Sequence, residues 1–325
     1  MAEAIPPSDQ PRSLHLERRL RQVALVAALA VVAYLGLAVL SDASAIRDGL
    51  LQLGPGQWLA LLGLSLLNYA LRFLRWHGYL LALGARIGFG RDLLIYLAGF
   101  AFTVTPGKAG EAVRSVYLKS AGVPWSPGLA ALAVERVLDL AAVVMLAALA
   151  LQIFADRTVP ALIVIVIVAG LLLMLTRPRI ARRLLAWSPK RGRWLQIRNA
   201  TLSLLDNARL LLAPKRLLGG LLIGLVAWGA EAWGLYLLLV WLDVDMGALQ
   251  AMGIYAISML AGALSFLPGG LGGAEAAMVA LLAAGGGATF GTAVLATVIC
   301  RAVTLWFAVI LGLVAVFILG REGST

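Results

Sequence analysis

Polar and apolar positions along this chain alternate on the scale of whole helices. A polar, basic start, MAEAIPPSDQPRSLHLERRLRQ, gives way to VALVAALAVVAYLGLAVL at residues 23–40. That run is longer than the roughly 7–15 apolar residues of a cleavable signal segment. It therefore predicts a retained first span, although Ala43-Ser44-Ala45 resembles a signal-peptidase site. Residues 58–74 predict a second span, ending in Arg72, Arg75, Trp76 and His77, the composition of an aromatic-basic interface anchor. Residues 93–105 are apolar but stop at Pro106-Gly107, well short of the about 20 residues a full span needs. Pro-Gly breaks a helix, and a polar-faced helix at 108–120 leads back out, so the pair predicts a re-entrant hairpin. Spans at 128–154, 159–176 and 217–241 follow. Residues 249–267, the break at Pro268-Gly269-Gly270 and a short helix at 274–284 predict a second hairpin, and 290–319 the last span. The pattern predicts an all-α polytopic membrane protein of about six full spans plus two re-entrant helical hairpins.

Composition agrees. The chain is 62% hydrophobic and 13% charged, with mean hydropathy +0.93, where soluble domains carry about a quarter charged residues. One cysteine, Cys300, and two histidines, His15 and His77, exclude a disulfide framework within the chain, a Cys/His metal site and a histidine-based triad. No cofactor is expected. The net charge of +11 raises nucleic acid as a partner, but its distribution points to basic loops on one side of a membrane. Residues 177–216 concentrate it, from Arg177 to Arg216 with Asp206 as the sole acid. They predict an interfacial segment resting on anionic lipid. With the arginine-bearing N-terminus inside, the outer loops 41–57, 155–158 and 242–248 keep only Arg47 and Arg157 as basic residues. Both termini are then cytoplasmic. The expected organisation is a basic tail at 1–22 and one transmembrane domain at 23–320. Within it, a first repeat covers 58–176, the interfacial segment 177–216 and a second repeat 217–320.

The repeat rests on Pro106-Gly107-Lys108-Ala109-Gly110-Glu111 and its counterpart Pro268-Gly269-Gly270-Leu271-Gly272-Gly273-Ala274-Glu275. Each is followed by a helix, a turn and a longer span with an arginine, Arg136 or Arg301. The first hairpin enters from the inside and the second from the outside, which makes the repeat inverted. Secondary transporters use this plan, with broken helices meeting near the midplane around the substrate. Gly107-Lys108 is not a phosphate loop: Ala109 follows the lysine, no glycine stands five residues before Gly107, and the preceding run is membrane-apolar.

Glu135, Arg136, Asp139, Glu231, Glu275 and Arg301 fall inside apolar helices. Unpaired at the bilayer centre they would together cost about 15–20 kcal/mol, so they must be paired or wet. Glu135 and Asp139 share a helix face, and Glu111 is one turn from both Lys108 and Arg114. The simplest pairing sets Glu111 against Arg136 or Arg114, and Glu275 against Arg301. Two readings of these pairs follow: locks between hairpin and span, or a site for an anionic headgroup. Arginine forks and broken-helix N-termini suit phosphate. Glu231 is either a coupling residue or a buried hydrogen-bonded acid, and Trp228, Trp233 and Trp241 are expected as packing or interface belt.

PGKAGEAVRSVYLKSAGVPWSPGLAALAVERVLDL, residues 106–140, resembles one signature of a known family: Pro-Gly-x-x-Gly-Glu-x-x-Arg, then Glu-Arg-x-x-Asp. FLPGGLGGAEAAM, 266–278, with Arg301 beyond, resembles the other, with one extra residue between Gly272 and Glu275. The family is the lysylphosphatidylglycerol synthase transmembrane-region, or flippase-like, family, and the resemblance covers about residues 20–320. It implies lipid handling at the bacterial cytoplasmic membrane. In larger members this region is the flippase part, fused to an aminoacyl transferase for which this chain is expected to have no room. Other members are associated with glycosyltransferases, polyprenyl-phosphate sugars or hopanoid biosynthesis. The expected function is a flippase for an anionic or phosphate-linked lipid, working without nucleotide hydrolysis and not an enzyme. Its substrate-binding residues would be Lys108, Glu111, Arg114, Glu135, Arg136, Asp139, Glu275 and Arg301. The alternatives are a membrane-embedded lipid-modifying transferase using Glu135 and Asp139, and a non-transporting lipid-binding subunit of a glycolipid pathway.

Overall fold

The structure, a computed structural model, describes residues 43–105, 111–151, 166, 170, 192–265, 267–285 and 287–322. The expected first span at 23–40, the break at Pro106–Gly110 with Lys108, most of the span at 159–176, and 177–191 of the basic segment lie outside the described residues.

The described chain is helical, with no strand among these residues. A short helix, α1 (Ala43–Gln52), precedes α2 (Pro55–Ala82), which opens on Pro55 with the Gln57 side chain accepting from Gly54 N at 2.6 Å. The first hairpin limb is α3 (Phe89–Phe100), the return limb α4 (Val113–Ser120), and the span behind them α5 (Trp125–Leu151). After α6 (Gly192–Leu211) comes α7 (Pro214–Trp241). The second hairpin is α8 (Ala248–Leu264), a 3₁₀ turn at Pro268–Gly270 and α9 (Gly273–Ala284). The last span is α10 (Phe290–Arg301), a π-helical turn (Ala302–Trp306) and α11 (Phe307–Glu322).

α2 shows why these helices belong in a bilayer. Its buried face carries Leu61, Ser65, Asn68, Arg72, Arg75 and Tyr79, spaced four and three residues apart. Its outer face carries Leu59, Leu66, Leu74 and Leu81, with Leu59 70% exposed. A helix with its polar stripe inward and leucines outward is built for lipid on the outside. Leu218, Leu222 and Val226 of α7 and Ile310, Val314 and Phe317 of α11 are exposed in the same way. Pro55–Ala82, Pro214–Trp241 and Phe290–Arg321 are each long and apolar enough to cross a membrane. α5 is 27 residues long but carries three charges in its middle.

Packing is reciprocal between the two halves. α2 lies on α7; α5 lies on the second hairpin's first limb, α8; and α11 lies on the first hairpin's first limb, α3. The first limb of each hairpin thus packs on a span of the other half. Where the second hairpin turns, Gly269 and Gly270 have φ of 64° and 69°, a left-handed conformation that glycine adopts without steric cost. A Cβ on Gly270 would also sit 3.1 Å from the backbone of Gly262.

One sequence expectation is corrected here. Arg72 and Arg75 do not anchor α2 at an interface: the helix continues to Ala82 and buries both, together with Trp76. Helical spacing puts them on the stripe of Ser65 and Asn68, where carboxylates of α5 meet them.

Candidate functional site

Five of the six charges predicted inside apolar helices fall in two clusters, Glu135, Arg136 and Asp139 in one and Glu275 and Arg301 in the other. In the first, Arg72, Arg75, Arg114 and Arg136 surround Glu111, Glu135 and Asp139. Arg72 Nη2 bridges both acids of the α5 face, 3.3 Å from Glu135 Oε1 and 3.0 Å from Asp139 Oδ2. Arg75 pairs with Asp139 and donates to Gly220 O at 3.1 Å. Arg114 Nη1 is 3.0 Å from Glu135 Oε2. Its guanidinium stacks 4.1 Å from the ring centre of Tyr96. Gly99 leaves the space that Arg114 fills, since a Cβ there would overlap its side chain. Arg136 Nη2 lies 2.7 Å from Glu135, 3.3 Å from Asp139 and 3.5 Å from Glu111. The Glu111 pairing left open by the sequence is thus resolved to both partners, Arg114 also being at 3.5 Å.

The second cluster is Arg301 with Glu275, Nε to Oε1 at 2.6 Å. Glu275 also accepts from Gly272 N at 2.7 Å, satisfying a donor at the start of α9. Arg301 Nη2 donates to Gly269 O at 3.0 Å, so one arginine ties the span to both the turn and the helix of the second hairpin. Nearby, Tyr255 Oη donates to Glu231 at 2.5 Å, which is the hydrogen-bonded setting that the sequence held open for this acid. Tyr69 Oη donates to Thr304 O inside the π turn.

Both clusters face one cavity of about 320 Å3, at the small end of ligand sites. Of the residues predicted for the site, Glu111, Arg136, Asp139 and Arg301 line it. Arg114, Glu135 and Glu275 stand behind the wall and orient those that do. Lys108 lies outside the described residues. Arg136 has a side chain 26% exposed, against 8% or less for its neighbours in the first cluster, so it is the guanidinium most open to a ligand. Sequence reasoning missed Arg72, which also lines the cavity; Trp228, expected as packing or interface belt, does pack against the core and lines the cavity as well. Trp228 lies on the wall with Arg72 5.1 Å from its ring centre. The signal for Arg72 was present: it falls on the four-and-three stripe of polar residues in α2. Trp228 Nε1 and Arg136 Nε are buried with no hydrogen-bond acceptor among the described residues, which suits a polar occupant.

Away from the cavity, Asp92 accepts from Trp76 Nε1 at 3.0 Å and meets His77 Nδ1 at 2.6 Å. This pair staples the start of α3 to α2. No group of His, Cys, Asp and Glu among the described residues is arranged to hold a metal ion.

These features define a class: an all-helical, multi-pass membrane protein whose two broken-helix regions meet at a charged internal cavity. The chain belongs to the lysylphosphatidylglycerol synthase TM region family, whose model matches residues 24–312. No curated protein matches the chain.

Proposed function

We propose that this protein is a lipid flippase of the bacterial cytoplasmic membrane. It moves an anionic or phosphate-linked lipid, such as a phospholipid, a polyprenyl-phosphate sugar or a hopanoid-type lipid, between leaflets without nucleotide hydrolysis. The observation that carries the reading is a cavity with arginines from both halves, Arg72 and Arg136 on one side and Arg301 on the other. Planar guanidinium forks match phosphate oxygens. The apolar part of the wall, including Phe100, Leu260 and Leu305, suits the first carbons of a lipid tail. The headgroup lies between the hairpins while they rock against their partner spans, exposing it to each leaflet in turn. Both termini face the cytoplasm, and the basic segment 177–216 rests on anionic lipid there. Partners of a glycosyltransferase pathway supply or consume the lipid.

The family supports a lipid-related role. Against covalent lipid modification, Glu135 and Asp139 are each bridged by arginines, which disfavours proton exchange at those acids. The test is reconstitution of the purified chain in liposomes with fluorescent phospholipid and polyprenyl-phosphate probes. Translocation faster than in empty liposomes is expected for at least one anionic probe. A rate equal to that of empty liposomes across both classes overturns the reading, and product formation from an activated donor would replace it with a transferase.

A further inference from the structure

The cavity is small for a lipid site. A volume of about 320 Å3 is room for roughly ten water-sized groups, or roughly fifteen bonded atoms at the tighter packing of a protein interior. A phosphate with glycerol has about ten non-hydrogen atoms and a phosphate with one hexose about sixteen, whereas a second hexose brings the count to about 27, beyond that room. A whole lipid is larger still, so its chains have to lie outside.

The wall shows where the chains leave. Of the described residues that line the cavity, only Ala263 and Leu267 are exposed. They flank Leu264, itself 60% exposed, where α8 gives way to the turn of the second hairpin. The mouth is therefore apolar. A polar solute arriving from water gains nothing at such a rim, whereas a hydrocarbon chain passes it into the bilayer without stranding a polar group. The charged part of the wall offers a handle for the headgroup. Among the described residues, Arg136 meets Glu111, Glu135 and Asp139 through Nη2, and its side chain is 26% exposed, so Nη1 keeps its donors for a phosphate oxygen. Arg72 is engaged by Asn68, Glu135 and Asp139, and Arg301 by Glu275 and Gly269 O. Those two hold the wall in shape and add positive potential, while Arg136 grips one phosphate.

We infer that the site selects lipids by headgroup size: it takes a single phosphate carrying one polyol no larger than a hexose, and the chains leave through the mouth at Ala263 and Leu267. Lipids with two or more sugars on the phosphate, or with a diphosphate-linked saccharide, fall outside its range. The inference rests on the lipid-site reading above and narrows it, and it concerns binding rather than movement. Two kinds of lipid share this headgroup chemistry, diacylglycerol phosphodiesters and polyprenyl-phosphate hexoses, and they differ only in the chain that passes the mouth.

The experiment counts bound lipid by native mass spectrometry on the purified full-length chain in detergent. Phosphatidylglycerol and phosphatidylinositol should both bind, and phosphatidylinositol carrying one further hexose should bind at least about tenfold more weakly than phosphatidylinositol itself. A polyprenyl-phosphate hexose run beside phosphatidylinositol tells the two chain types apart, the tighter binder naming the anchor. Glycerophosphoglycerol, the phosphatidylglycerol headgroup without its acyl chains, should compete at least about a hundredfold more weakly than the lipid. Leu260→Ala enlarges the wall and should narrow the gap between the two inositol lipids several-fold, a gain that a misfolded variant cannot show. Equal binding of the two inositol lipids by the wild type overturns the size limit even where translocation is intact, and so does an unchanged gap in folded Leu260→Ala. Competition by glycerophosphoglycerol at the strength of phosphatidylglycerol overturns the chain route. If Leu260→Ala does not fold, the wild-type series decides. Size-selective binding with no translocation in liposomes leaves this inference standing and removes only the flippase reading. Binding of none of these lipids removes the lipid-site reading and the inference with it.

Discussion

Arg72 shows how much a single side chain carries in this core. It compensates Glu135 and Asp139 at once and stacks on Trp228. Arg72→Ala leaves buried acids with fewer partners, which costs about 3–5 kcal/mol. Thermal unfolding in detergent should show that loss as a clearly lowered midpoint. Arg136 behaves differently because it is the partly open member of the cluster. Arg136→Lys keeps the charge but loses the planar fork. It should lower translocation of an anionic probe roughly tenfold, the equivalent of about 1.4 kcal/mol, with little change in unfolding temperature. An equal loss of stability and activity would mean that Arg136 is only a lock.

At the scale of the element, the helix breaks do the positioning. The second turn stays tight because Gly269 and Gly270 accept positive φ and let Gly262 approach. The carbonyl it presents, Gly269 O, holds Arg301. Gly270→Ala meets both the backbone conformation and the Gly262 contact, so it should destabilise the fold by about 1–3 kcal/mol. It should also reduce translocation by more than the folded fraction accounts for, because Arg301 loses its seat; quantifying folded protein by gel filtration alongside the rate separates the two. The π turn after Arg301 is the matching irregularity in the opposite span. Its Thr304 carbonyl is taken up by Tyr69 across the cavity wall, in keeping with π turns clustering at functional sites.

For the whole molecule, the consequence of reciprocal packing is a cavity that both halves line. Ala263 lines it from α8 at an exposed position, so a large side chain can enter the space without disturbing the core. Ala263→Trp should fill much of the about 320 Å3 and cut translocation at least tenfold while leaving the unfolding temperature near that of the wild type. Unchanged transport in that variant would move the lipid path elsewhere on the protein.

The sequence alone determined the class of fold and roughly where the described apolar helices lie, because apolar run length and Pro-Gly breaks act locally and a bilayer admits few alternatives. It also determined that Glu135, Arg136, Asp139, Glu231, Glu275 and Arg301 had to be paired or wet, since a charge in an apolar helix has no cheap solitary state. The simplest pairings offered by the sequence, Glu275 with Arg301 and Glu111 with Arg136 or Arg114, are pairs that the structure makes. Tertiary structure decided the rest. It turned Arg72 and Arg75 from an interface anchor into the counter-ions of α5, and it set Arg114 and Glu135 behind the wall while leaving Arg136 open. It brought Glu231 from the second half to the same cavity as the first cluster. Those outcomes depend on which helix faces which, and the packing of α2 on α7, α5 on α8 and α3 on α11 is a long-range choice that no local pattern contains.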